Sequence, residues 1–147
     1  MQKKRCKTYI IIPLLSCLLL VWLDQITKYL FYDLKIWNNL CFLNPVLNDW
    51  ISWWMSMPMW IIIGITIICI FLFVYLLYKN YLSPLGFVLL FAGTLWNLID
   101  RIYLGWVRDF ISIWNFPVFN IADVLLTCGV VLICIEEVRN MLKKSTQ

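Results

Sequence analysis

The chain has 147 residues, 63% of them hydrophobic, with a formal net charge of +4 and a mean hydropathy of +0.85, more apolar surface than a soluble domain of this length keeps, so the protein belongs in a membrane. The basic residues gather at the chain ends and in one short loop, which reads as a topology signal and not as a nucleic-acid surface. Histidine is absent, which removes His-based metal sites, Ser-His-Asp triads and Cys-His pairs, and the six cysteines (Cys6, Cys17, Cys41, Cys69, Cys128, Cys134) show no CxxC spacing and read as small core residues, with no metal site or disulfide framework implied.

The opening MQKKRCKTYIIIPLLSC has the basic and apolar regions of a secretory or lipoprotein signal, with a small residue before Cys17. The apolar run continues past that cysteine as LLLVWL, where a processed protein turns polar, so the stretch reads as an uncleaved first span over about 9–30. Asp24 and Lys28 stand four apart in it with the acid N-terminal to the base. They share one helical face, each offsets the cost of the other in hydrocarbon, and the pair reads as a structural brace.

The segment DLKIWNNLCFLNPVLNDWISWWMSM is too interrupted by Asn, Pro and Asp to span and too aromatic for a solvated loop. It reads as a small element on the outer leaflet, irregular or part β. Trp50, Trp53 and Trp54 serve there either as plain anchors or as substrate contacts. The second and third spans follow at about 58–78 and 85–104, joined by the tight turn KNYLSP. In the third, WNLIDRIY puts Asn97 and Arg101 four apart on one face, with Asp100 beside Arg101. Amide, acid and guanidinium can build a hydrogen-bonded polar wall near the outer interface, or Arg101 can snorkel to headgroups, and spacing alone does not choose.

A fourth span is expected over about 121–138. Asn120, after Pro117, occupies an N-cap position and puts Asp123 in the first helical turn, where the helix dipole favours an acid. The cap does not account for Asp109, which follows Gly105 at the other end of the short connection WVRDFISIWNFPVFNIAD and can be brought back to face Asp123. Two facing carboxylates cannot easily both ionise, so one keeps a proton and the pair titrates as a unit. The ionised member can take a proton from water and the protonated member can give one to a carbonyl oxygen or leaving amine, which fits peptide-bond hydrolysis without a covalent intermediate.

Lys3, Lys4, Arg5 and Lys7 precede the first span, Lys79 lies in the turn between the second and third, and Arg139, Lys143 and Lys144 follow the fourth. The positive-inside rule makes both termini and that turn cytoplasmic. Every aspartate and all nine tryptophans then fall toward the outer side, with Glu136 and Glu137 at the inner end, so the outer face is the working face. The expected architecture is an all-α integral membrane protein: one domain over 1–147 with four transmembrane helices and a small extracytoplasmic element between the first two.

DQITK (24–28), NLIDR (97–101), VRDF (107–110) and FNIAD (119–123), in this order on a four-span chain, resemble the lipoprotein signal peptidase family, the type II signal peptidases. The resemblance implies an intramembrane aspartic endopeptidase of the bacterial inner membrane. Such an enzyme cuts the signal peptide from a diacylglyceryl-modified prolipoprotein before the lipidated cysteine, and works as a monomer among membrane lipids without cofactor, metal or nucleic acid. It places Asp109 and Asp123 as the catalytic dyad. It assigns polar support or substrate contact to Asn44, Asn97, Asp100, Arg101 and Asn120, and a structural role to Asp24 and Lys28. The chain departs from the family where Asn44 is followed by PVLNDW and not by a Gly-x-Ala-Phe type segment, where Trp96 replaces a Gly, and in a shorter connection between the two acids. These departures spare the dyad and bear on the substrate-clamping surface. Of the rivals, a Ser/Lys peptidase has only Ser52, Ser56, Ser112 and Lys35 to draw on, in no shared motif. A non-catalytic or altered-specificity four-span protein derived from the family would tolerate loss of Asp109.

Overall fold

The structure, a computed structural model, describes residues 2–35, 42–48 and 57–145. Trp50, Trp53 and Trp54, expected as anchors, lie outside the described residues, as do Cys41, Ser52 and Ser56 and the side chains of 2–10 with Cys6 and the basic cluster. Helix α1 (Gln2–Lys28) runs on into a π-helical turn, Tyr29–Asp33, and is followed by strand β1 (Leu43–Asn48), helices α2 (Met59–Tyr78) and α3 (Pro84–Leu104), strand β2 (Val107–Ile111) and helix α4 (Ile121–Ser145).

Three stretches are long and apolar enough to cross a bilayer: Ile11–Asp33, Met59–Tyr78 and Pro84–Leu104. They match the first three expected spans, except that the first continues through the π-helical turn instead of stopping near Leu30. Helix α4 is long enough, but with Asp123 in its first turn and Glu136, Glu137 and Arg139 in its second half it does not join that group.

Helix α3 is the hub and packs against α1, α2 and α4. Its start is fixed by Ser83, whose hydroxyl accepts the Gly86 N–H at 3.1 Å, with Pro84 in the first turn. Its end is fixed by Gly105 at φ 84°, a left-handed conformation that costs glycine little. Buried Phe87, Leu90, Ala92 and Trp96 of α3 form the core with Cys17 of α1, Leu77 of α2 and Ala122 of α4. The outward face of α2 is the reverse, with Trp60, Ile68, Phe71 and Tyr78 all exposed, as suits a helix surrounded by lipid. Small residues let α3 and α4 approach closely: a Cβ on Gly93 would lie 2.7 Å from the Ala122 carbonyl oxygen, and one on Gly129 2.9 Å from Leu90.

The two strands pair antiparallel, with Val46 opposite Asp109 and Leu47 opposite Arg108. The ladder is irregular between Leu43 and Val46, where Pro45 has no N–H to give. On the other side of β2, Ile111 and Phe119 exchange backbone hydrogen bonds of 2.8 and 3.0 Å. The β element expected between the first two helices therefore exists, but its partner strand comes from the α3–α4 connection, which the sequence reading treated as a plain link. That pairing folds the connection back and carries Asn120 toward Asp109.

Candidate active site

Asp109 is buried on β2. Its Oδ2 accepts the Asn48 Nδ2–H at 2.8 Å and its Oδ1 the Asn120 Nδ2–H at 2.6 Å. Asp123, half-buried in the first turn of α4, accepts the Asn97 Nδ2–H on Oδ1 at 2.9 Å and the Asn120 backbone N–H on Oδ2 at 3.1 Å. Asn120 Oδ1 accepts the Asp123 backbone N–H in return at 3.1 Å, a reciprocal cap of the helix. The second proton of the Asn120 amide goes to Asn97 Oδ1 at 3.1 Å. One residue thus caps α4 and bridges the two acids, and every atom of its side-chain amide is used.

A charged set stands behind this layer. Lys28 Nζ, wholly buried, reaches Asp24 Oδ2 at 2.8 Å, Asp100 Oδ2 at 3.1 Å and Asn97 Oδ1 at 3.4 Å. Its donation to Asn97 Oδ1 fixes which way that amide points, and so directs Nδ2 at Asp123. Arg108 pairs with Asp100 at 2.8 Å and with Asp33 at 2.9 Å. Buried charges on this scale persist only when matched, and here Lys28 and Arg108 balance Asp24 and Asp100.

Burial is the main cause that pushes the Asp109 carboxyl up to about 7; the Asn48 hydrogen bond opposes it, the charge of Asp123 adds to it and the Asn120 hydrogen bond opposes it again. Burial disfavours the Arg108 charge, but Asp100 and Asp33 outweigh that and hold the guanidinium above its ordinary value.

Of the residues singled out by sequence, Asp109, Asp123, Asn97 and Asn120 come together in one layer, with Asp24, Lys28 and Asp100 directly behind. Asp100 does not join Asn97 and Arg101 in a wall; it turns to Lys28 and Arg108. Arg101 is half-buried, and its side chain makes no hydrogen bond or ion pair among the described residues. Asn44 lies exposed at the irregular start of β1, and the amide that reaches Asp109 belongs to Asn48. Asn48, Gln25 and Arg108 were missed. The signals for them were faint: Asn48 is the second of two amides in LNPVLN, with the register irregularity between it and Asn44, and Arg108 is the one base in VRDFI.

Residues 16–139 match the family described as Signal peptidase (SPase) II, a span that includes every member of both polar layers. The chain belongs to the signal peptidase II family. It is 37% identical to a lipoprotein signal peptidase of Staphylococcus aureus (strain JH9), with 94% of each chain covered. It is 34% identical to that of Bartonella quintana, with 89% of each covered. A 42% match to the Bartonella tribocorum relative spans 63% of this chain and 60% of that one. A solved bacterial membrane enzyme superposes with a TM-score of 0.79 at 33% identity, covering 92% of this chain and 93% of its own.

Proposed function

We propose that this protein is an intramembrane aspartic endopeptidase that removes the signal peptide from diacylglyceryl-modified prolipoproteins, cutting before the lipidated cysteine, with Asp109 and Asp123 as its water-activating pair. The observation that carries the reading is the Asn120 bridge, which holds one carboxylate by its side chain and the other by its cap. Asp109, pushed up to about 7, is the member that holds the shared proton near neutral pH. Each of its oxygens accepts one N–H and keeps a second lone pair for that proton.

Water bound between the two acids loses a proton to Asp123 as it attacks the scissile carbonyl carbon, while Asp109 gives its proton to the carbonyl oxygen. As the tetrahedral intermediate collapses, the C–N bond breaks, the proton held by Asp123 passes to the leaving amine and a hydroxyl proton of the intermediate returns to Asp109, which restores the starting pair. Asn97 and Asn120 orient the acids and do not react. The Arg101 guanidinium, on a half-buried residue and without a hydrogen-bonded partner among the described residues, is available to a substrate carbonyl.

The whole chain acts as one membrane-embedded domain, with α4 as a fourth span, both termini in the cytoplasm and the acids at the outer face of the inner membrane. It works as a monomer among lipids, where a lipidated substrate can reach the acids laterally. Purified protein in lipid, offered the same precursor with and without its diacylglyceryl group, should cleave only the modified one, with the product mass placing the cut before the modified cysteine. Equal cleavage of both would overturn the substrate assignment.

A further inference from the structure

Arg108 reacts with nothing in this scheme, yet its guanidinium makes four hydrogen bonds to three residues on three elements. Its Nη2 donates to Asp100 Oδ1 at 2.8 Å and to Gln25 Oε1 at 2.7 Å, Nη1 to Asp33 Oδ2 at 2.9 Å and Nε to Asp100 Oδ2 at 3.4 Å. Its backbone N–H also goes to Asp100 Oδ2, at 3.1 Å. One carboxylate on α3 therefore grips both the side chain and the main chain of a residue on β2, while Gln25 and Asp33 tie the same guanidinium to α1 and its π-helical turn. The π-helical turn, which continues α1 past Lys28, is the element that presents Asp33.

Adjacent residues on a strand point to opposite faces, so a clamp on Arg108 sets the depth at which Asp109 emerges on the other face. Asp109 must there meet Asn48 and Asn120 together, at 2.8 and 2.6 Å. Arg108 also completes the charge balance. Without it, Asp24 and Asp100 would share Lys28 alone, and Lys28 is the group that orients Asn97 toward Asp123.

We propose that Arg108 is a positioning residue for the peptidase reaction: its fork onto Asp100, Gln25 and Asp33 locks β2 at the depth that holds Asp109 against Asn120 and opposite Asp123. This rests on the Asp109–Asp123 reading. The titratable groups around the fork are Asp24 and Lys28 on α1, Tyr32 and Asp33 on its turn, Asp100 and Arg101 on α3, Asp109 on β2 and Asp123 on α4. Lysine keeps the charge but cannot fork, and glutamine keeps neither.

The test measures kcat, KM, the pH–rate profile and thermal midpoint on lipidated precursor for wild type, Arg108→Lys and Arg108→Gln, with Asp109→Asn as a control. Misplacement of a reacting group by about an ångström can cost roughly a hundredfold, so Arg108→Gln should lower kcat about ten- to hundredfold with KM within about twofold. The alkaline limb of its pH–rate profile, set by Asp109 as the proton donor, should also move to higher pH, because the positive charge next to Asp109 has gone. Arg108→Lys should restore that limb and the thermal midpoint while kcat stays about fivefold low, the part of the loss that belongs to the fork. Wild-type kcat per folded molecule in Arg108→Gln, with only the thermal midpoint lowered, would overturn the proposal, as would a raised KM at unchanged kcat. If Arg108→Gln does not fold, Arg108→Lys decides, and full kcat there overturns it. Cleavage by Asp109→Asn would instead overturn the dyad reading, whatever Arg108 does.

Discussion

At the residue scale, Asp109 carries a cost of burial. Its carboxyl holds a proton up to about 7 in the folded protein against an ordinary value of 3.8. Between those two pH values the folded state binds more protons than the unfolded one, so stability falls as pH rises through that window and is regained below it. Asp109→Asn removes the penalty. A shift of this size is worth roughly 4 kcal/mol, and about 1–2 kcal/mol returns as loss, because an amide cannot accept from both Asn48 and Asn120. The variant should therefore unfold a few degrees higher than wild type at pH 8, in thermal melts, and show no advantage at pH 4. A variant less stable than wild type at pH 8 would mean that Asp109 is an ordinary ionised carboxylate.

Asn120→Ala should act on two quantities at once. Loss of the cap destabilises by about 1 kcal/mol. Loss of the Nδ2 donor leaves Asp109 with one partner fewer, so the alkaline limb of the pH–rate profile, which Asp109 sets as the proton donor, should move to higher pH, as kinetics across pH would record. The acids themselves were legible in sequence because carboxylates are rare in so apolar a setting. Asn48 and Arg108 were not, since their roles depend on a strand pairing between residues far apart in the chain, and no local periodicity carries that information.

At the element scale, the contact between α3 and α4 sets the distance between Asn97 and Asp123. Gly93 is one turn before Asn97, and an added Cβ there would meet the Ala122 carbonyl oxygen at 2.7 Å and Leu126 at 2.8 Å. Gly93→Ala should push the helices apart, lower stability by about 1–3 kcal/mol as overpacking does, and reduce kcat by stretching the 2.9 Å Asn97–Asp123 bond. Gly64→Ala on α2 is the matched control: it has nothing within 4 Å, so it should be neutral or stabilise by up to about 1 kcal/mol, what helix propensity gives. Melting curves with turnover numbers for both variants check the pair. The three spans were readable because a long apolar run has few alternatives in a bilayer. Strand β2 was hidden between a helix end and a turn, too short to announce itself, and the π-helical turn that brings Asp33 to Arg108 has no signature in the sequence.

At the scale of the whole molecule, the architecture joins a buried ionic set to the Asp109–Asp123 layer through the Asn97 amide. Lys28 binds Asn97, Asn97 binds Asp123, and Asn120 carries the connection to Asp109. By the positive-inside rule the sided distribution of Lys and Arg predicts that cysteine accessibility or reporter fusions should find Asn80 in the cytoplasm and Asn115 outside. A cytoplasmic Asn115 would put the acids in the wrong compartment.

The central claim is that Asp109 and Asp123 act as one unit on one water, and cleavage of lipidated precursor by Asp109→Asn, Asp123→Asn and the double variant tests it most directly. Groups that act as a unit are strongly non-additive, so each single variant should lose cleavage while still folding and binding precursor, and the double variant should be little worse than either. Substantial cleavage at the same bond by either single variant would contradict the account.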